Sequence, residues 1–134
     1  MKPEELFIGA WVYNAHHNKN IQITPYDFFT HRHDENGVQH LQHNSIPRSG
    51  MDLHPIPLTP EILKKNGFEH RGRYYLIFDD PSLALKSELQ GNRLIFFIGH
   101  LFDCYNFHAF IELQFVHELQ AAMRLCGIEK EIVL

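Results

Sequence analysis

The run RLIFFIG at residues 93–99 constrains the fold more than any other stretch of the chain. Its positions from Leu94 to Ile98 are all apolar. A strand sends successive side chains to opposite faces, so a strand that is apolar at every position needs cover on both sides. That requirement predicts a layered fold with other elements lying on each face of a central strand. The longer run LIFFIGHLF, 94–102, is too short to span a bilayer and is interrupted by Gly99 and His100, which excludes a membrane helix here.

The residues around this run read as an antiparallel meander. Strands are predicted near 73–79, 83–88, 93–99 and 107–113, with turns at HRG, DDPS, QGN and DCYN. Upstream, PIPLTPEILKKNGF at 55–68 carries a complete set of helix signals. Thr59 suits the N-cap, Pro60 the first helical position, and Glu61 the positive helix end. Gly67 suits the left-handed position after the helix, with Phe68 pressed against Leu63 in a Schellman stop. At the C-terminus, Val116, Leu119, Met123 and Cys126 form an amphipathic stripe, Gly127 and Ile128 repeat the Schellman spacing, and EIVL is expected to close the chain as a strand. At the N-terminus, LFIGAWVY at 6–13 and IQIT at 21–24 flank a polar turn and predict a hairpin whose second strand Pro25 limits. Residues 30–54 are polar, rich in His, Asn, Gln and Ser, and show neither periodicity, so they read as an excursion from the core apart from a short strand near Val38–Leu41. The fold class is therefore α+β in one domain, 1–134: an N-terminal β-hairpin or small barrel-like unit, a short helix, a meander of four to five strands, a C-terminal helix and a closing strand.

Composition narrows the function classes. A formal charge of −4 without a run of Lys or Arg disfavours a nucleic-acid partner, which needs a clustered basic surface. Protonating all eleven histidines would move that charge to +7, so surface charge is sensitive to acid. The start, MKPEELFIGAWVYN, lacks the basic region and long apolar run of an export signal. Two isolated cysteines, Cys104 and Cys126, with no CxxC spacing, read as small core residues in a cytoplasmic setting.

The stretch THRHDENGVQHLQH, 30–43, supplies the metal-ligand candidates His31, His33, His40 and His43. His31 and His33 would share one face of a strand, and His40 and His43 one face of a helix. A Gly- and Asn-containing polar excursion is a poor rigid frame for a tetrahedral zinc set, so exposed polar histidines are the plainer reading. HELQA at 117–121 resembles the helical zinc motif but has Ala121 in place of the second histidine, so the motif fails and His117 reads as a polar, cap-adjacent residue. Asp79 and Asp80 precede Ala84, where a magnesium nuclease would need a second acid, so DDPS reads as a turn. A thiolate pair of Cys104 with His100 or His108 is opposed by Asp103 next in sequence. No phosphate loop, nucleophile elbow or dinucleotide fingerprint is present, and no cofactor is expected.

Three blocks, EELFIGAWVY, LHPIPLTPEILKKNGFEHRGRYY and FVHELQAAMRLCGIEKEI, together resemble a family of small uncharacterised proteins of Bacteroides-type bacteria and their phages and mobile elements. That family reads Glu-Leu-x-Ile-Gly-Asn-x-Val, then Pro-Ile-Pro-Leu-Thr-x-Glu-x-Leu-x-x-x-Gly-Phe, then Val-His-x-Leu-Gln-Asn. This chain departs from it at Ala10 and Ala121. The resemblance implies a bacterial or phage-encoded accessory protein and carries over no catalytic residue. The leading expectation is a non-enzymatic interaction module with a protein partner or a second copy of itself: if the two helices cover only one sheet face, the other needs the N-terminal hairpin or a second molecule. A metal-binding protein using His31, His33, His40 or His43, and a nucleic-acid-binding accessory, are the alternatives.

Overall fold

A computed structural model describes residues 7–43, 53–72, 74–77, 80–101 and 107–134, with only the backbone at 26, 28–33, 39–43, 77, 80–82, 101 and 110. The expected turn at DCYN and the residues Asp79 and Cys104 lie outside the described residues. The chain divides into two compact units, 1–56 and 57–134. The α+β class read from the sequence is what the structure shows, with two α-helices and antiparallel sheets of three, five and two strands among the described residues.

In the first unit, β1 (Trp11–Asn14) is the centre of a three-stranded sheet between β2 (Lys19–Gln22) and β5 (Leu53–Pro55). The expected hairpin is β1–β2. Its turn is held by Asn14, whose buried Oδ1 accepts from the backbone N–H of His16 at 3.0 Å and of His17 at 3.3 Å. Asn18 takes the left-handed conformation at φ 52° that an Asn tolerates better than most residues. Ala10, Val12, Ile23 and Leu53 form the core beneath, with Phe7 and Ile21 packed against it. After β2, Pro25 opens a 3-10 turn, Pro25–Phe28, closed by Asp27, whose carboxylate accepts from the Thr24 N–H at 2.6 Å and hydroxyl at 3.0 Å.

The segment expected to be an irregular excursion contains a second hairpin, β3 (Phe29–His33) paired with β4 (Gln39–His43). Its turn is built on Asp34, whose Oδ1 accepts from the N–H groups of Asn36 and Val38, both at 2.9 Å, while Gly37 takes φ 77°. The short strand expected near Val38–Leu41 overlaps β4, whereas β3 escaped the sequence reading because polar residues stand at nearly every position, leaving no apolar alternation to detect.

In the second unit, α1 (Pro60–Lys65) begins and ends as its residues dictate. Thr59 Oγ1 accepts from the Ile62 N–H at 3.3 Å, and the Phe68 N–H reaches the Leu63 carbonyl at 3.1 Å across Gly67 at φ 82°. The five strands β6 (Glu69–Arg71), β7 (Tyr74–Ile77), β8 (Asp80–Gln90), β9 (Arg93–Leu101) and β10 (Phe107–Leu113) form one antiparallel sheet in sequence order. Strand β8 starts at Asp80, so Pro81 and Ser82 belong to it and not to a turn. The two-residue loop Gly91–Asn92 joins β8 to β9, with Gly91 at φ 62° as the first position of a type II′ turn requires. Strand β9, second from the sheet edge, is covered on both sides at Ile95 and Phe96, which are adjacent and therefore on opposite faces and are both buried.

Helix α2 (Val116–Leu125) packs against β10 and buries Val116, Leu119 and Met123 as the stripe predicts. The stripe stops one turn early. Cys126 is the C-cap and is exposed, so the expectation of a core cysteine fails there. The closing strand is also absent: residues 128–134 join no ladder. Instead the buried Asn66 side chain imitates a neighbouring strand, its Oδ1 accepting from the Val133 N–H at 2.7 Å and its Nδ2 donating to the Val133 carbonyl at 2.8 Å.

Candidate functional site

The four histidines singled out by sequence lie on the β3–β4 ribbon, and their side chains are outside the described residues. The backbone register nevertheless sorts them. Directly opposed residues of an antiparallel pair share a face, and the partners are Phe29 with His43, His31 with Leu41, and His33 with Gln39. His31, His33 and His43 therefore fall on one parity. His40, opposite Arg32, falls on the other. The helix that would have grouped His40 with His43 does not form, because the Asp34 turn sends residues 39–43 back along β3.

Of the other candidates, His117 sits in the first turn of α2 and is buried, not solvent-facing, with its ring stacked on Phe115 at 5.9 Å. Its neighbour Glu118 is engaged as a cap, one carboxylate oxygen accepting from the N–H groups of Phe115 at 2.9 Å and Gln114 at 3.0 Å. Among the described residues, no group of three or more His, Cys, Asp or Glu is placed to hold a metal ion.

The five-stranded sheet has two unequal faces. Leu85, Phe96, Ile98 and Leu113 share one parity and are fully buried. The other parity buries Leu76, Ala84 and Ile95 and carries Tyr74, Lys86, Phe97 and Glu112 in one row across four strands, with Phe107 nearer the sheet end. There Tyr74, Lys86, Phe97 and Phe107 are half-buried and Glu112 is exposed. Tyr74 and Phe107 meet at 5.6 Å between ring centroids. A cation, an aromatic ring and a carboxylate side by side make an amphipathic surface.

No family model, curated protein or solved structure matches the chain. No described helix is long and apolar enough to cross a membrane. Sequence reasoning missed the ribbon that carries the histidines, although Asn36-Gly37 between two short segments is a hairpin signal. That Phe96 and Phe97 face opposite sides follows from their adjacency in one strand, but which residues of β7, β8 and β10 share the Phe97 side needs the register.

Proposed function

We propose that this chain is a non-enzymatic interaction protein that associates with a second copy of itself through the sheet side bearing Tyr74, Phe97 and Phe107. The observation that carries the reading is the half-burial of those three aromatic rings on the side opposite Leu85, Phe96, Ile98 and Leu113. Rings left partly in water gain by being covered, and an adjacent Lys86 and Glu112 give a symmetric partner complementary charges to meet. The role as an accessory protein of phages or mobile elements rests on the resemblance of the three sequence blocks alone.

Sedimentation velocity over a wide concentration range tests this. The expected result is a concentration-dependent shift to a dimer, weakened by Phe97→Lys, which sets a second cation beside Lys86, by about 2 kcal/mol or roughly thirtyfold. A strict monomer at the highest concentration overturns the reading.

A second reading is favoured by the ribbon register. His31, His33 and His43 stand on one register parity, with His33 and His43 four positions apart along the ribbon, so an ion there would be shared by His31 with one of the other two. Elemental analysis of untagged protein purified without a metal column is expected to find close to one equivalent of transition metal. Less than about a tenth of an equivalent removes this reading, because a site of physiological use retains its ion.

A further inference from the structure

Asn–Gly occurs twice in the chain, at Asn36–Gly37 and Asn66–Gly67. The dipeptide carries its own chemistry, because a glycine without a Cβ leaves its backbone nitrogen sterically open to attack the side-chain amide before it. Both copies are held in the same backbone arrangement. Gly37 takes φ 77° and donates its N–H to the Asp34 carbonyl at 3.0 Å, and Gly67 takes φ 82° and donates to the Lys64 carbonyl at 3.1 Å. Each carbonyl lies three residues back. Neither nitrogen can attack until that bond opens, so the local backbone does not distinguish the two sites.

The side chains do distinguish them. Asn66 is buried, its amide nitrogen donating to the carbonyls of Ile62 and Val133 and its oxygen accepting from the Val133 N–H. To close a ring with Gly67 it would have to give up all three bonds. Asn36 is exposed, and among the described residues its hydrogen bond is made by its backbone, the N–H donating to Asp34 Oδ1 at 2.9 Å. Its amide therefore turns without breaking a bond. The cost of opening the glycine N–H differs in the same direction. The Asn36 turn closes the β3–β4 ladder, which among the described residues has two strands, and ladders of that size are weak. Asn66 instead fastens the end of α1 to the tail, so freeing it undoes a packed part of the second unit.

We propose that Asn36 is a site of spontaneous deamidation, with water as the co-reactant, and that the fold protects Asn66 from the same reaction. The Gly37 nitrogen bonds to Asn36 Cγ, the Cγ–Nδ2 bond breaks, and the Gly37 amide proton ends on the departing ammonia. Water then opens the cyclic imide at either carbonyl and leaves aspartate or isoaspartate at position 36, with nothing oxidised or reduced. Either product adds a negative charge to a turn that already holds Asp34 and Glu35. Isoaspartate also inserts a carbon into the main chain between residues 36 and 37, inside the turn where one Asp34 oxygen holds the N–H groups of Asn36 and Val38. The turn is thereby unfastened. The modification is independent of metal binding and of self-association.

Peptide mapping by mass spectrometry of the full chain, held folded in mildly alkaline buffer, tests the proposal. Conversion at Asn36 is expected to run about tenfold or more faster than at Asn66, because opening the ribbon costs less than opening the end of α1. In concentrated urea both sites become unfolded Asn–Gly and should convert at similar rates, which isolates the fold as the cause. Asn36→Gln should remove the fast conversion and leave Asn66 as slow as before. In the separated isoaspartate product, the Val38 amide should exchange with solvent faster than in the starting chain. Equal rates at the two sites in the folded protein, or a preference for Asn36 that persists undiminished in urea, overturns the proposal. A Val38 amide that keeps its protection in the isoaspartate product overturns the unfastening of the turn.

Discussion

Replacing Gly99 with alanine should destabilise the second unit by about 3 kcal/mol or more, the upper end of what overpacking costs. A Cβ built on Gly99 lies 2.0 Å from the His108 carbonyl oxygen and 2.8 Å from the Ala109 Cα. Both are backbone atoms of β10, so no side chain can swing aside to make room. The strand must instead retreat, which breaks the ladder next to its own bulge between Ala109 and Ile111. With total stabilities of about 5–15 kcal/mol, such a loss is a large fraction of the whole. Urea unfolding gives the measurement. Gly91→Ala is the control: its new methyl meets nothing within 4 Å, but the φ of 62° strains any L side chain, so a smaller loss of about 1 kcal/mol is expected. If the two variants unfold at the same midpoint, the close approach of β10 to β9 is wrong.

The second large effect is expected at Asn66. Its amide makes three bonds, to the Ile62 carbonyl at 2.8 Å and to both polar groups of the Val133 backbone. Asn66→Ala removes all three and should cost about 2–3 kcal/mol, since each buried group left without a partner carries its own desolvation penalty. Asn66→Asp is more informative. A carboxylate there would keep the acceptor for the Val133 N–H but would oppose two carbonyl oxygens with a negative charge, where the amide now donates. That environment favours the protonated acid, so the folded-state pKa of the new group would stand above its unfolded value. A raised folded pKa means the folded state binds more protons, and stability then falls as pH rises. The deficit of Asn66→Asp relative to the native chain should therefore shrink as pH is lowered from neutral towards the carboxyl range. Thermal unfolding of both proteins across that range reads it directly. A deficit that does not change with pH would mean that the side chain at 66 is solvated and does not face Val133.

These two sites also mark the limit of what the sequence discloses. Helix α1 was legible because each of its signals acts locally: Thr59, Pro60 and Gly67 set their own backbone and bond to groups a few residues away. The stripe of α2 and the turn at Gly91–Asn92 were legible for the same reason. The tail was not. Ile132 and Val133 are β-branched and read as a strand, yet the partner that satisfies Val133 is a side chain 67 positions earlier, and nothing in the residue type of Asn66 announces that contact. Cys126 fits the helical spacing but falls at the cap, where the exposed end of the helix decides its burial. Most of the β3–β4 ribbon stayed hidden because its polar composition erases the alternation by which half-buried strands are recognised. The short strand expected near Val38–Leu41, which overlaps β4, was the legible part, and the Asp34 turn, though fixed by local bonds, was not read.

The candidate sites follow the same division. That His31, His33, His40 and His43 could bind an ion was readable from residue type, but which of them share a face depends on a register set by the length of one turn. The half-burial of Phe97 depends on how far each strand extends.

Among the described residues, the β3–β4 ribbon, with His31, His33 and His43 on one register parity, is a sheet of two strands. Ladders that small hold together weakly on their own. Opening of the ribbon and occupancy by an ion are then thermodynamically linked: a guest that bridges β3 to β4 would zip them shut, and unzipping would release it. Amide exchange along residues 29–43 would thus act as a gauge of occupancy, slowing in proportion to bound ion while the β8–β9 ladder keeps its own pace.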